Sequence, residues 1–405
     1  MRMGVRSCLV GLIVALLAIF FPYIHITLEL AVAANLRGYG AATASADWLK
    51  TIYPYAFDRT VTLLRKGQST KNDYAEKYYH MERPNILANL ATFTLHPYFA
   101  NPNVPNTTSW HGLIHERMRH FRKQLDSTGA IDYYIEKDRC EMYRFYGRHS
   151  LPILPQHGMW HTLGELQAAV LDGSAFANVT AWPVFWKACH LTQSSSFATR
   201  AMSAKPTPDE AAELSEWLAA KWTFRANDYE RVWVEDGNAI TAGIPPGFML
   251  QAPFGIGAQS FAVSGRVSVG IPEVRVEVLW GRPYLALLDG TTILMRNNKA
   301  QYFGSLKSMG RTPELLDDHW FFTEGHDACV WDVAARAATI GGVDSIRIDL
   351  FLNRQTPAEC VLNENSLSSG MPYWGHEEFM SRLWAEPHVE KLYTKRDTTG
   401  SVLEQ

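Results

Sequence analysis

The chain has 405 residues, 47% of them hydrophobic and 20% charged, with a formal net charge of -3. That composition gives a globular chain with room for two lobes and excludes a low-complexity or disordered one. No long basic run is present, so nothing points to a nucleic-acid partner, which needs a concentrated positive face.

The N-terminus gives the first element. Arg2 and Arg6 precede an apolar run from Cys8 to Ile24, about 17 residues, near the lower limit for a spanning helix. Residues 1–34 read as a cytoplasmic tail and signal-anchor helix. A cleaved secretory signal is the alternative, with Ala31 to Ala34 as small residues for cleavage. The positive charge on the short side predicts a single-pass type II protein with its bulk in the Golgi or ER lumen. Two glycosylation sequons, Asn106-Thr107-Thr108 and Asn178-Val179-Thr180, agree with that route. Outside the apolar run stand Cys140, Cys189, Cys329 and Cys360, which permit two disulfides in any of three connectivities. None has zinc spacing.

Residues 35–125 read as a stem and a helical N-terminal region. A turn-rich loop, residues 100–109, precedes a helix over Trp110–Leu125 with His120 and Arg122 on its polar side. Residues 126–405 read as the catalytic domain. Helices are expected at Leu163–Leu171, Asp209–Lys221 and Ala328–Ile340. Strands are expected at Ala181–Cys189, Gly247–Pro253, Arg275–Trp280, Pro283–Leu288, Ser345–Leu352 and from Cys360 to Asn363. The two strands around Trp280-Gly281-Arg282-Pro283 form a hairpin. Hairpins mixed with helices make the fold class α+β. No GxGxxG or GxxxxGK[ST] follows a strand, which disfavours the Rossmann and P-loop folds.

Three groups of residues could carry chemistry. Asp349 lies within an apolar strand and Glu364 on the next, so the two can meet on one face. Converging carboxylates repel unless a cation lies between them, and hard oxygen ligands suit Mg²⁺ shared with phosphates. The competing reading pairs Asp349 with Arg347 or Arg354 in a structural salt bridge. Lys187 ends an apolar strand before a polar loop, where it reaches a phosphate or simply snorkels. His190 reads more simply as a satisfied loop histidine than as a base. In Glu273-Val274-Arg275-Val276-Glu277, alternation puts Glu273, Arg275 and Glu277 on one face. That face is solvated, or it lines a cleft with Arg275 as a phosphate clamp.

The ordered succession of strand-Lys, hinge strand, charged hairpin, helix, strand-Asp and strand-Glu resembles the ATP-grasp superfamily, in particular its TupA-like branch linked to polysaccharide biosynthesis. The similar stretch runs from Ile131 to Trp374. Residues 131–155, with Lys137 and Tyr146, resemble the segment before the nucleotide lobe. Lys187 resembles the nucleotide lysine, and Leu191 to Ser196, with Ser194 and Ser195, resembles the mobile loop over the phosphates. Residues 244–251 resemble the strand leading to the adenine hinge, with Gln251 where the family usually has Glu. Arg275 falls where TupA-like proteins often carry Lys. Asp349 and Glu364 resemble the metal ligands, with Ser366 where many members have Asn. Ser368 to Gly370 resembles the small-residue loop that closes the site. The resemblance implies a two-lobed fold with mixed or antiparallel sheets, and ATP and Mg²⁺ as cofactors. Lys187 and Arg275 would clamp the phosphates. The implied activity is ligation or transfer to a glycan- or peptide-linked acceptor through an acyl phosphate.

Two other readings share the outline. A type II Golgi glycosyltransferase has the same anchor and stem, but Asp317-Asp318 lacks the DxD spacing. A non-catalytic carbohydrate-binding protein would use Trp110, Trp182, Trp280 and Trp374 as sugar platforms, in a chain with 13 Trp and 17 Tyr.

Overall fold

The computed structural model describes residues 73–395, apart from 102, 107–108, 130–137, 192–197, 225–233, 255–270, 289, 304–313, 371–372 and 374. The apolar run at 8–24, most of the proposed stem, and Ser194 and Ser195 lie outside the described residues. Among the described residues no helix is long and apolar enough to cross a membrane.

Helix α1 (Asp73–Asn89) opens with Asp73 and Glu76, whose charges favour the positive end of the helix. Strand β1 (Thr94–Leu95) follows. Helix α2 (Trp110–Thr128) starts where the Ser109 hydroxyl accepts from the Gly112 N–H at 3.1 Å and ends at Gly129, φ 71°. Asp138 caps α3 (Arg139–Arg148). Then come β2 (Gln156–Trp160), α4 (Leu163–Leu171), β3 (Val184–Ala188) and β4 (Thr199–Met202). Thr207 and Glu210 form a capping box for α5 (Pro208–Thr223). Helix α6 (Val234–Ala242) precedes β5 (Phe248–Gln251). A run of strands follows: β6 (Glu273–Leu279), β7 (Arg282–Leu288), β8 (Thr292–Met295), β9 (Lys299–Tyr302) and β10 (Glu314–Leu316). The last elements are α7 (Trp320–Thr323), α8 (Asp327–Gly341), β11 (Ser345–Leu352), β12 (Cys360–Ser366), α9 (Glu377–Glu390) and β13 (Thr394–Lys395).

The strands form two main sheets. The smaller has the order β2-β5-β3-β4 and the larger β10-β9-β8-β7-β6-β11-β12. All pairs within them are antiparallel, and β1 and β13 pair parallel. The α+β expectation holds. Helices α4 and α5 cover the small sheet through Leu166, Val170, Leu214 and Leu218, against Trp186 and Phe248. Helix α8 covers one face of the large sheet, its Val330, Ala334 and Ala337 lying in one core with Val276, Ile346 and Ile348. Residues of α1 and α2 join that same core. The expected helices and strands are present, and the hairpin turn is the pair Trp280-Gly281, both at positive φ (52° and 75°). A Cβ on Gly281 would meet the Phe93 ring at 2.8 Å, so packing as well as conformation requires glycine there. The disulfides are Cys140–Cys189 and Cys329–Cys360.

One buried polar knot joins helices to the large sheet. Asp344, just before β11, accepts from Arg117 of α2, from Trp384 Nε1 at 2.6 Å and from its own neighbour's N–H, Ser345, at 2.9 Å. Its carboxylate also meets His388 Nε2 at 2.7 Å. Arg117 also donates to the Ser345 and Leu367 carbonyls at 2.7 and 3.2 Å, and its guanidinium lies 4.2 Å from the Trp384 ring. Burial alone would raise the Asp344 carboxyl, but Arg117 and His388 outweigh it and hold it below its ordinary value. Removing the carboxylate charge takes the counter-ion from the buried Arg117 guanidinium. Asp344→Asn is therefore expected to cost roughly 3–5 kcal/mol, read as a lower urea midpoint in equilibrium unfolding.

Candidate functional site

The face of the large sheet opposite α8 carries the polar side chains. Alternation on β6 and β11 sends Val274, Val276, Ile348 and Leu350 to the core, and Arg275, Glu277, Arg347 and Asp349 to the other side. Pairing sets them in rows. Arg275, Asp349 and Glu364 stand opposite one another across β6, β11 and β12, and Glu277, Arg347 and Ser366 form the next row. Strand β12 achieves this by a register shift. Leu362 pairs with Leu350 and Glu364 with Asp349, leaving Asn363 as the extra residue of a bulge. Without it Leu362 and Glu364, two apart, would share a face.

The row is tightly paired. Arg347 grips Asp349 with two bonds, Nε to Oδ1 at 2.7 Å and Nη2 to Oδ2 at 2.8 Å. Arg275 Nη2 donates to Glu273 Oε2 at 2.9 Å, while its Nε lies 3.9 Å from Asp349 Oδ2. Arg139 of α3 reaches Glu364 Oε2 at 3.2 Å. From the small sheet, Lys187 Nζ donates to Asn363 Oδ1 at 3.1 Å, and Asn363 Nδ2 donates to Glu273 Oε1 at 3.0 Å. The two sheets therefore meet in one polar cluster. The start of α3 is locked to the end of β3, since the Arg139 N–H donates to the Cys189 carbonyl at 3.0 Å and the next residue, Cys140, is bonded to Cys189.

Burial shapes the protonation of the cluster. It pushes the Asp349 carboxyl up to about 6, with Arg347 opposing and Glu273 and Glu364 adding to the rise. It brings Lys187 down to about 7, helped by nearby Arg139, even though part of that side chain still meets solvent. Glu277 is 1% exposed. Its Oε1 accepts from the Tyr373 hydroxyl, which is 2.8 Å from the Ser369 hydroxyl, and its Oε2 has no partner. Burial raises it to about 7.

Several expectations resolve differently. Asp349 both faces Glu364 and pairs with Arg347, so the juxtaposition and the salt bridge are both present; Arg354 instead pairs with Glu324 at 2.8 Å. The face of Glu273, Arg275 and Glu277 lines the cluster, and for Glu277 the solvated alternative fails because the side chain is buried. Gln251 ends the central strand of the small sheet, buried, with its side chain bonded to the Tyr143 hydroxyl. The Ser366 hydroxyl accepts from the Ser368 N–H at 3.2 Å and so shapes the small-residue loop. His190 is a satisfied histidine between the Gly247 N–H and the Lys221 carbonyl. Trp110 and Trp280 are core residues, not platforms. Their Nε1 groups donate to the Ser369 and Leu383 carbonyls at 2.9 and 3.0 Å. Sequence reasoning missed Arg139, whose only signal was its place beside Cys140, and it missed Tyr373.

Among the described residues no three His, Cys, Asp or Glu side chains are grouped to hold a metal by themselves. Two carboxylates in register are a different donor set. A carboxylate has about four lone-pair positions, so the Arg347 bonds leave Asp349 with acceptor capacity. This fits Mg²⁺, which commonly takes one or two carboxylates and completes its shell with water and phosphate oxygens.

No protein-family model and no curated protein matches the chain. Among solved structures it is similar to a RimK-domain ATP-grasp protein from Sphaerobacter thermophilus DSM 20745, with 14% identity, 64% of this chain and 68% of that one covered, and TM-score 0.34. It is similar to D-cycloserine synthetase DcsG, with 14% identity, 70% and 80% coverage, and TM-score 0.37. It is also similar to the D-alanine–D-alanine ligase of Bacillus anthracis, with 9% identity, 67% and 75% coverage, and TM-score 0.35. At TM-scores this low the likenesses carry no argument, and the cleft is read from its geometry.

The Glu277 carboxyl has a folded value above its ordinary value, 4.5. Its contribution to stability is thus fully present below that value and is lost as pH rises through about 7. Glu277→Gln keeps an acceptor for Tyr373 without the charge. The variant is expected to melt higher than the parent at about pH 8, with the difference shrinking toward about pH 5 in thermal scans.

Proposed function

We propose that the cluster between the two sheets binds ATP with Mg²⁺, and that the protein is an ATP-grasp ligase or transferase of the TupA-like kind. The observation that carries this reading is the Lys187–Asn363 contact. It brings the one cation of the small sheet's β3 onto the carboxylate pair of the large sheet, so a nucleotide held there has a cationic and an anionic wall. Residues 126–405 are the proposed catalytic domain, held to a membrane by the N-terminal segment and facing the lumen. The two disulfides support an oxidising compartment.

The roles follow from charge and position. Lys187 and Arg275 clamp phosphate oxygens and stabilise charge that develops during transfer. Asp349 and Glu364 would hold Mg²⁺, which when bound supplies positive charge to the phosphates. Arg347 and Arg139 orient those two carboxylates, and the Arg347 charge opposes the rise that burial imposes on Asp349. Gln251 and Tyr143 brace the end of the hinge strand, and Ser194 and Ser195 belong to the proposed phosphate loop. The proposed acceptor is a carboxylate on a glycan- or peptide-linked molecule, activated as an acyl phosphate before an amine or thiol attacks. One observation favours a second reading, a member that binds without catalysis. Each metal-facing carboxylate already has an arginine partner, so a cation must share ligands with Arg347 and Arg139.

Melting with ATP, UDP-sugars and Mg²⁺ or Mn²⁺ tests the site. A ligand at about 100 times its Kd stabilises by about 2.7 kcal/mol. The expected result is a metal-dependent rise with ATP, abolished in Asp349→Asn/Glu364→Gln and reduced in Lys187→Met. A rise with UDP-sugars alone would move the protein to the glycosyltransferases. Binding of ATP without turnover against carboxylate and amine acceptors would select the non-catalytic reading.

A further inference from the structure

We infer that Asn178 carries an N-linked glycan. The triplet Asn178-Val179-Thr180 has the acceptor pattern, but such triplets arise by chance and are unusable inside helices, strands or cores. The structure places this one where it can be used. The chain leaves α4 at Asp172, makes one 3₁₀ turn over Ser174–Phe176 and enters an irregular stretch before β3. The turn is fixed by its own backbone, with the Ala177 N–H donating to the Ser174 carbonyl and the Val179 N–H to the Phe176 carbonyl, both at 3.1 Å.

The three residues of the triplet then divide. Val179 packs inward against the core of the small sheet, beside Phe176 and Trp182. Asn178 and Thr180 on either side are exposed. Among the described residues no hydrogen bond engages the Asn178 amide or the Thr180 hydroxyl, so both stand ready for a transferring enzyme. An inward middle residue flanked by outward Asn and Thr is the presentation that a glycan acceptor needs on a surface loop. The second observation is independent. Cys140–Cys189 and Cys329–Cys360 are both closed, which belongs to a chain that folds in an oxidising compartment, where N-glycosylation takes place. Asn106 does not carry the same argument, since Thr107 and Thr108 lie outside the described residues.

The donor is a lipid-linked pyrophosphate oligosaccharide. The Asn178 amide nitrogen attacks the anomeric carbon of its first sugar. An N–C bond forms, the C–O bond to pyrophosphate breaks, the lipid pyrophosphate leaves, and the amide gives up one proton. This assignment does not depend on the ATP reading.

The test uses the full chain expressed in secretory eukaryotic cells. Peptide mapping of the unmutated protein after glycosidase treatment should find Asn178 converted to Asp. In an Asn106→Gln background, Thr180→Ala should abolish the glycosidase-sensitive mobility shift and Thr180→Ser should keep it. An unmodified Asn178 in the mapped parent protein overturns the proposal, whether the chain entered the secretory route or stayed in the cytosol. So does a Thr180→Ala shift identical to its parent. The mapping needs no variant, so a misfolded Thr180→Ala leaves the answer intact.

Discussion

A single carboxylate with no access to water anchors the strand on which the cluster stands. Asp344 has donors from α2, from α9 and from its own strand, and an ion in such a place persists only while those donors surround it. The knot therefore fixes where β11 begins. Strand β11 lies between β6 and β12, so its start sets which residues of all three strands stand opposite one another. A slip of one position would turn Asp349 into the apolar core and Ile348 into the cleft. The charged row five residues along the strand depends on an interaction that lies outside that row.

Within the cleft, charge is arranged before any ligand arrives. Arg347 is committed to Asp349, Arg139 to Glu364 and Arg275 to Glu273, each across a short distance in a poorly solvated setting. Such pairs hold their side chains in defined orientations, at a desolvation cost that the pairing offsets. Glu277 differs, because its Oε1 meets the Tyr373 hydroxyl and, among the described residues, no cation grips it. Its raised proton affinity comes from burial, which outweighs the opposing Ser369 hydroxyl and Arg347 charge.

Much of the fold was legible because the strands obey simple periodicities. The alternating run from Glu273 to Glu277 named its polar face correctly, and Ser345–Leu352 named its core residues. Helix α5 was legible in the amphipathic run Asp209–Lys221, while its capping box at Thr207 and Glu210 came from the structure. The strands β8, β9 and β10 were not read, since Thr292–Met295 and Lys299–Tyr302 are short and carry few alternations. The pairing of Asp349 with Glu364 was legible as a juxtaposition of adjacent strands, while its arginine partners were not. Arg139 is distant in sequence and arrives through a helix and a disulfide that composition leaves open among three connectivities. The aromatic residues left two readings open. In the sequence Trp110 and Trp280 read either as core or as sugar platforms, and they are core side chains with bonded indoles.

The bulge at Asn363 separates two properties that a regular strand would have fused. A plain ladder would carry Leu362 inward and the next residue, a carboxylate, outward, and would still oppose Asp349. The sheet thus has no structural need of the extra residue. What the insertion adds is a side chain bonded both to the small sheet through Lys187 and to Glu273 of the large one. The acidic pair and the tether between lobes are consequently modular. A lineage could lengthen, shorten or delete the tether, changing how firmly the two sheets are joined, while the paired acids kept their places.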